Sequence, residues 1–157
     1  SISMVSGTFG KAFGSGGAFL ASNEKIGEML IQSSSPFRYT TALSPSLAAG
    51  ALQSLQKIKK NKYLGADLLK ISKRWKKEIE HIGKYEVIGD AHILSLIIGD
   101  EDKTLMMQKF LEDNGFLAVG IRPPTVPAGK SRIRLTIRSS FNTNILKKFI
   151  SALKAYK

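Results

Sequence analysis

The 157-residue sequence contains no cysteine. That absence excludes a disulfide framework and any thiolate metal site, and it agrees with a reducing, cytoplasmic setting. No apolar run approaches the roughly 20 residues that a membrane helix requires. The opening residues Ser1, Ile2, Ser3, Met4 and Val5 lack the basic flank of a secretory signal. Acidic residues are scarce: 12 Asp and Glu stand against 24 Lys and Arg, for a formal charge of +12. Such a surplus fits nucleic acid, an acidic partner, an acidic half elsewhere, or simply a Lys-rich solvated face. The dispersal of Lys57, Lys59, Lys60, Lys62, Lys70, Lys73, Lys76 and Lys77 along helical segments favours the solvated face. The two histidines, His81 and His92, have no Asp, Glu or Cys at ligand spacing, so no metal site is expected. Hydrophobic residues make up 43%, enough for a real core in a chain of this length.

Ile2–Ser6 and Gly17–Ala21 predict extended segments around a glycine-rich turn. Asn23 can cap a helix through Gln32, which Ser33–Pro36 should break, and Phe37–Leu43 reads as a connection. From Pro45 the apolar positions recur at helical steps. Ala48, Ala51, Leu52, Leu55 and Ile58 form one series, and Leu64, Leu68, Ile71, Trp75 and Ile79 form another. They predict one long helix or two. Ile93–Ile98 reads as a buried strand, and Asp102 as the cap of a helix ending at Asn114-Gly115. Phe116–Val119 is expected to be extended, and the prolines at 123, 124 and 127 make Ile121–Gly129 irregular. Ser131–Ser139 alternates, with Ile133, Leu135 and Ile137 on one face and Arg132, Arg134, Thr136 and Arg138 on the other. Asn142 or Thr143 then opens a final amphipathic helix. The second half thus reads βαββα.

Chemistry concentrates in Gly7-Thr8-Phe9-Gly10-Lys11-Ala12-Phe13-Gly14-Ser15-Gly16-Gly17. A P-loop places its lysine after the glycines and before Ser or Thr, whereas Lys11 precedes most of them and is followed by Ala12. No G-x-G-x-x-G spacing is present either. Two readings stay open on the residues alone: a solvated lysine in a glycine-rich hairpin, or a Schiff-base lysine. An amine attacks an aldehyde only when deprotonated, from a reference pKa of about 10.4, and burial beside cations favours that form. In the second reading Thr8 could hydrogen-bond a cofactor phosphate.

The G-T-F-G-K-A-F-G-x-x-G segment resembles the cofactor-lysine segment of the α-oxoamine synthase family of pyridoxal-phosphate (PLP) enzymes. Phe37-Arg38-Tyr39-Thr40-Thr41-Ala42-Leu43-Ser44-Pro45 is similar to a downstream segment of that family, with Ser44 where a proline is usual. His92–Gly99 resembles its small-domain strand. Gly120-Ile121-Arg122-Pro123-Pro124-Thr125-Val126-Pro127-Ala128-Gly129, followed by Arg132-Ile133-Arg134-Leu135, is close to the pattern of the alanine-using members. Glycine-using and threonine-pathway relatives generally lack that proline run. The four motifs are collinear and span nearly the whole chain.

The resemblance implies the C-terminal portion of a fold-type-I PLP transferase with an α/β fold. Its expected segments are the end of the large domain (1–44), a connecting helical segment (45–80) and a small α+β domain (81–157). Lys11 would carry PLP and act as the catalytic base, with Thr8, Thr40 and Thr41 as further cofactor contacts. Thr40 and Thr41 would serve the phosphate of a neighbouring subunit in a homodimer, although by themselves they could be ordinary turn hydroxyls. Arg134 would hold the amino acid's carboxylate, a task for the guanidinium fork. From alternation alone Arg132, Arg134 and Arg138 are equivalent and could form a charged outer face. Thr125 matches a substrate-contacting position, and Arg122 could simply order its loop.

The implied substrates are L-alanine and pimeloyl-CoA or pimeloyl-acyl carrier protein, in a decarboxylative condensation. The family's ring-stacking histidine, its pyridine-pairing aspartate and a second histidine all precede the lysine. Only ten residues do so here, so an incomplete and, in isolation, inactive C-terminal piece is expected. Rival readings are a sister synthase such as a glycine C-acetyltransferase, a basic nucleic-acid-binding module and a non-catalytic dimerising remnant. No basic segment carries the interleaved aromatics of a nucleic-acid stacking surface.

Overall fold

The structure, a computed structural model, describes residues 2–156. Ser1 and Lys157, the ends of the outer expected segments, lie outside the described residues. The chain divides into two compact units, Ser1–Lys62 and Tyr63–Lys157.

In the first unit β1 (Met4–Thr8) pairs antiparallel with β2 (Ala18–Ser22), from Met4 opposite Ser22 to Thr8 opposite Ala18. Both strands lie one or two residues beyond the expected segments. Opposite Gly7 stands Phe19, and a Cβ on Gly7 would lie 2.5 Å from that ring. Glycine at this position therefore lets Phe19 fold across the hairpin toward Phe9, 5.5 Å away between ring centroids. Helix α1 (Glu24–Ser33) is capped as expected, with the Asn23 side chain accepting from the Ile26 N–H at 3.0 Å. The helix breaks at Ser34 within the expected Ser33–Pro36, but a short helix not expected from the sequence, α2 (Ser35–Arg38), follows at once, because Pro36 fits the first turn, where its missing N–H costs nothing. Helix α3 runs from Pro45 to Lys60. Its anticipated apolar stripe is barely covered: Ala51 is the one buried residue, while Leu52, Leu55 and Ile58 are exposed.

The second unit holds the hydrophobic core. Residues 61–63 interrupt the helical stretch, so α4 (Leu64–Glu80) is a separate helix, and the break falls before Gly65. Four antiparallel strands follow the order β3-β4-β6-β5: β3 (Glu86–Ile88), β4 (Ile93–Gly99), β5 (Val119–Ile121) and β6 (Ser131–Thr136). The sequence reading missed β3, a three-residue edge strand whose single buried residue, Val87, leaves no alternation to detect. It also placed β5 at Phe116–Val119, about two residues early, and ran β6 on to Ser139. Helix α5 (Glu101–Asp113) is capped by Asp100 rather than Asp102: the Asp100 side chain accepts from the Lys103 N–H at 2.8 Å. The terminal helix α6 (Thr143–Ala155) is capped by Asn142.

One face of the sheet carries Val87, Leu94, Leu96, Ile133 and Leu135, which pack with Trp75 and Ile79 of α4, Met107 and Leu111 of α5, and Leu146, Phe149 and Leu153 of α6. Strand β4, read as buried from its apolar run, is packed against helices on one side: Leu94 and Leu96 are buried while Ile93 is exposed. Gly89, at φ +115° in the β3–β4 turn, is a position only glycine fills, since a Cβ would stand 2.4 Å from the Ile93 carbonyl oxygen.

Tyr85 shows how the edge of this core responds to pH. Its hydroxyl is buried and lacks a hydrogen-bond partner among the described residues. Burial first, and the neighbouring Tyr156 second, push its pKa above 10.0. The folded state therefore favours the neutral phenol. That contribution is complete below the ordinary tyrosine pKa of about 10 and is lost as pH rises through the raised value. Tyr85→Phe is expected to leave neutral-pH stability unchanged or to raise it by up to about 1 kcal/mol. It should also flatten the alkaline loss in thermal melts between about pH 8 and about pH 11. An alkaline profile identical to that of the parent would contradict this.

Candidate active site

The hairpin between β1 and β2 presents Lys11. Residues 9–17 close on themselves: the Phe9 N–H donates to the Gly17 carbonyl at 2.9 Å, the Ser15 N–H to Phe9 at 2.9 Å, and the Gly14 N–H to Lys11 at 3.0 Å. Gly14 turns the chain at φ +59°, with open space where a Cβ would be. Phe13 stands edge-on to Phe9 with centroids 5.1 Å apart. Lys11 is exposed, three residues beyond Thr8 at the end of β1, and neither side chain makes a hydrogen bond or ion pair among the described residues.

Thr40 and Thr41 follow α2 in the same unit and are both exposed. The Thr40 hydroxyl donates to the Pro36 carbonyl, so its proton is already committed. Thr41 has no partner among the described residues, which makes it the better phosphate donor of the two.

In the second unit the three arginines that alternation left equivalent have different surroundings. Arg132 Nε donates to the Lys130 carbonyl at 3.0 Å, fastening the strand to the preceding loop. Arg138 lies beyond the end of β6. Arg134 sits within the strand on the helix-free face, between Ser95 of β4 and Val119 of β5, and is exposed without an ion pair among the described residues. A guanidinium so placed keeps its paired donors for a carboxylate.

Thr125 closes a turn around the two prolines, its N–H donating to the Arg122 carbonyl at 3.0 Å, with a cis bond between Pro123 and Pro124. Arg122 enters this turn through its backbone, and its own side chain is exposed. His81 ends α4. His92 contributes its carbonyl to the Ile137 N–H at 2.7 Å. No cluster of three or more His, Asp or Glu able to hold a metal stands among the described residues.

Two features escaped the sequence reading. Ser15 and Ser54 tie the lysine loop to α3, through Ser15 Oγ to the Leu47 carbonyl at 2.6 Å and Ser54 Oγ to the Phe13 carbonyl at 2.7 Å. Ser95 stands directly across from Arg134. The available signals were a hydroxyl one turn beyond Gly50 and Ala51 in a helix, and one polar residue inside the apolar run 93–98.

Residues 2–153 match the family described as aminotransferase class I and II. The 8-amino-7-oxononanoate synthase of Pseudomonas savastanoi pv. phaseolicola is 34% identical over 153 residues, covering 98% of this chain and 39% of that protein. The high-resolution structure of SPT with a PLP internal aldimine superposes with a TM-score of 0.88 at 25% identity, over 98% of this chain and 39% of that one. The 8-amino-7-oxononanoate synthase from Francisella tularensis gives 0.81 at 23% identity, covering 97% and 44%, a likeness of fold. The chain thus spans well under half the length of these proteins.

Proposed function

The chain belongs to the class I and II aminotransferase family and has the α/β fold of fold-type-I PLP transferases; from that premise we propose that it contributes Lys11 and Arg134 to a PLP enzyme condensing L-alanine with a pimeloyl thioester. The product would be 8-amino-7-oxononanoate, the compound named by its 34% identical relative. The observation that carries the reading is the hairpin offering an uncommitted amine at Lys11 beside an uncommitted hydroxyl at Thr8, on glycine backbone with open space above Gly14.

This donor set fits PLP. A primary amine suits its aldehyde, and hydroxyls at Thr8 and, from a neighbouring subunit, at Thr41 can donate to its phosphate. When bound, PLP supplies an electron sink for the pair left at the amino acid's α-carbon. The chain's own groups do the rest. Arg134 holds the substrate carboxylate with parallel hydrogen bonds. Lys11 accepts the proton from the α-carbon as general base. Thr125, exposed at the tip of the proline turn, is the further substrate contact. In the balance, the α-carbon–hydrogen bond, the acyl carbon–sulfur bond and the bond to the alanine carboxylate break, one carbon–carbon bond forms and the α-carbon regains a proton after CO2 leaves, the sulfur departing as the free thiol.

The reading includes a homodimer in which Thr41 serves the neighbour's phosphate, with Thr40 joining it only on release of its bond to the Pro36 carbonyl. The exposed rings of Phe37 and Tyr39 beside them support it. The acyl donor is linked to coenzyme A or to an acyl carrier protein, and the +12 charge would steer either anion. No helix among the described residues is long and apolar enough to cross a membrane.

The test compares condensation with alanine and with glycine, in the parent and in Arg134→Lys, each completed by the segment that carries the family's histidines and aspartate. Alanine is expected to be preferred. Loss of the fork should raise the amino acid KM about tenfold to a hundredfold, with a smaller change in kcat. Preference for glycine would point to a sister synthase. An unchanged KM would remove Arg134 from the site.

A further inference from the structure

The loop that carries Lys11 is anchored outside its own hairpin. Ser54 Oγ, on α3, donates to the Phe13 carbonyl at 2.7 Å, and Ser15 Oγ donates back to the Leu47 carbonyl of the same helix at 2.6 Å. Leu47 and Ser54 are seven residues apart, which places both attachment points on one face of α3 at about two turns' separation. That face is kept low between them. Ala51 is buried, and a Cβ on Gly50 would stand 3.3 Å from Ser15 Oγ. The loop's own glycines meet the same helix and the residues just before it: a Cβ on Gly16 would lie 3.1 Å from Leu47, and one on Gly17 would lie 2.8 Å from Leu43.

The two anchors flank Gly14, whose N–H closes the turn onto the Lys11 carbonyl at 3.0 Å. Ser54 holds the peptide carbonyl immediately before Gly14, and the Leu47 carbonyl holds Ser15, the residue immediately after it. Fixing both sides of a glycine at φ +59° limits the freedom that glycine would otherwise give the turn. The Lys11 backbone is therefore oriented by a hydroxyl more than 40 residues downstream, in another element.

We propose that Ser54 is a positioning residue for Lys11. Through the Phe13 carbonyl it sets the Lys11–Gly14 turn, and with it the direction in which the lysine amine leaves the loop. The Ser15–Leu47 bond is the second point of the clamp. The proposal rests on the reading of Lys11 as the cofactor lysine.

The experiment incubates the protein with PLP and cyanoborohydride, then measures modification at Lys11 relative to exposed Lys59 in the same digest by mass spectrometry. Parent, Ser54→Ala and Ser54→Thr are compared, with a thermal melt of each. The Lys11-to-Lys59 ratio should be well above one in the parent. It should fall about tenfold or more in Ser54→Ala, as expected of a misaimed reactant, and recover in Ser54→Thr, which keeps the hydroxyl. A lower melting temperature with an unchanged ratio in Ser54→Ala would make Ser54 a structural contact only and overturn the proposal. A ratio near one in the parent would overturn the reading of Lys11 and the proposal with it.

Discussion

Lys11→Ala is expected to abolish the preferred covalent attachment of PLP and, in protein completed by the segment that carries the family's histidines and aspartate, to lower condensation activity on the order of a thousandfold or more, because one amine serves as both anchor and base. Lysine is hard to replace here. Thr8, three residues away, can donate to a phosphate but cannot join an aldehyde as a primary amine does. The substitution should leave the fold intact, since Lys11 is exposed and its side chain makes no hydrogen bond or ion pair among the described residues. Its backbone carbonyl keeps the bond from the Gly14 N–H. Visible absorbance of the protein with added PLP, before and after borohydride reduction and dialysis, is the direct measurement. Retention of the reduced cofactor on Lys11→Ala at the level of the parent would sink the assignment.

The second large effect concerns stability. Phe149 of α6 is 1% exposed. It meets Trp75 at 5.2 Å and Phe116 edge-on at 5.1 Å between centroids. Trp75 also stacks against Phe141 at 5.4 Å, so these rings tie α4 and α6 together with the segments that precede β5 and α6. Phe149→Ala removes the shared ring and leaves a cavity that Trp75 cannot fill without leaving Phe141. The expected cost is about 3–5 kcal/mol, in the upper range of core truncations. Denaturant unfolding followed by Trp75 fluorescence measures it, because Trp75 is the sole tryptophan and lies in the second unit. Circular dichroism controls for the altered surroundings of that reporter. A loss below about 1 kcal/mol would show that the ring cluster is not the centre of the core. Comparable truncation at Leu52 or Leu55 of α3 should cost far less, because both are exposed.

Much of this architecture is legible in the sequence. The caps at Asn23 and Asn142, the start of α3 at Pro45 and the alternation of β6 are local rules, in which a side chain acts within three or four residues of its own backbone. The glycine-flanked lysine and the proline-rich turn were visible for the same reason. Errors arose where the deciding partner was distant. Asp100 and Asp102 are equally good caps on paper, and the choice between them depends on where β4 ends. The apolar run 93–98 showed a buried strand but not which of its faces the helices would cover, which is the one that carries Leu94 and Leu96.

Lys11 and the arginines show the same division. The sequence by itself determined that a lysine stands among glycines, with a hydroxyl three residues before it, and that arginines alternate with apolar residues on one strand. Those are facts of spacing. Only the tertiary structure decided which arginine keeps an uncommitted guanidinium: Arg132 is spent on the Lys130 carbonyl, and Arg138 lies past the strand, while Arg134 faces out between Ser95 and Val119. It alone showed that α3 reaches the lysine loop through Ser54. A hydrogen bond across about 40 residues has no periodicity to betray it. It forms because a folded helix brings a hydroxyl to a carbonyl that the hairpin left without a partner.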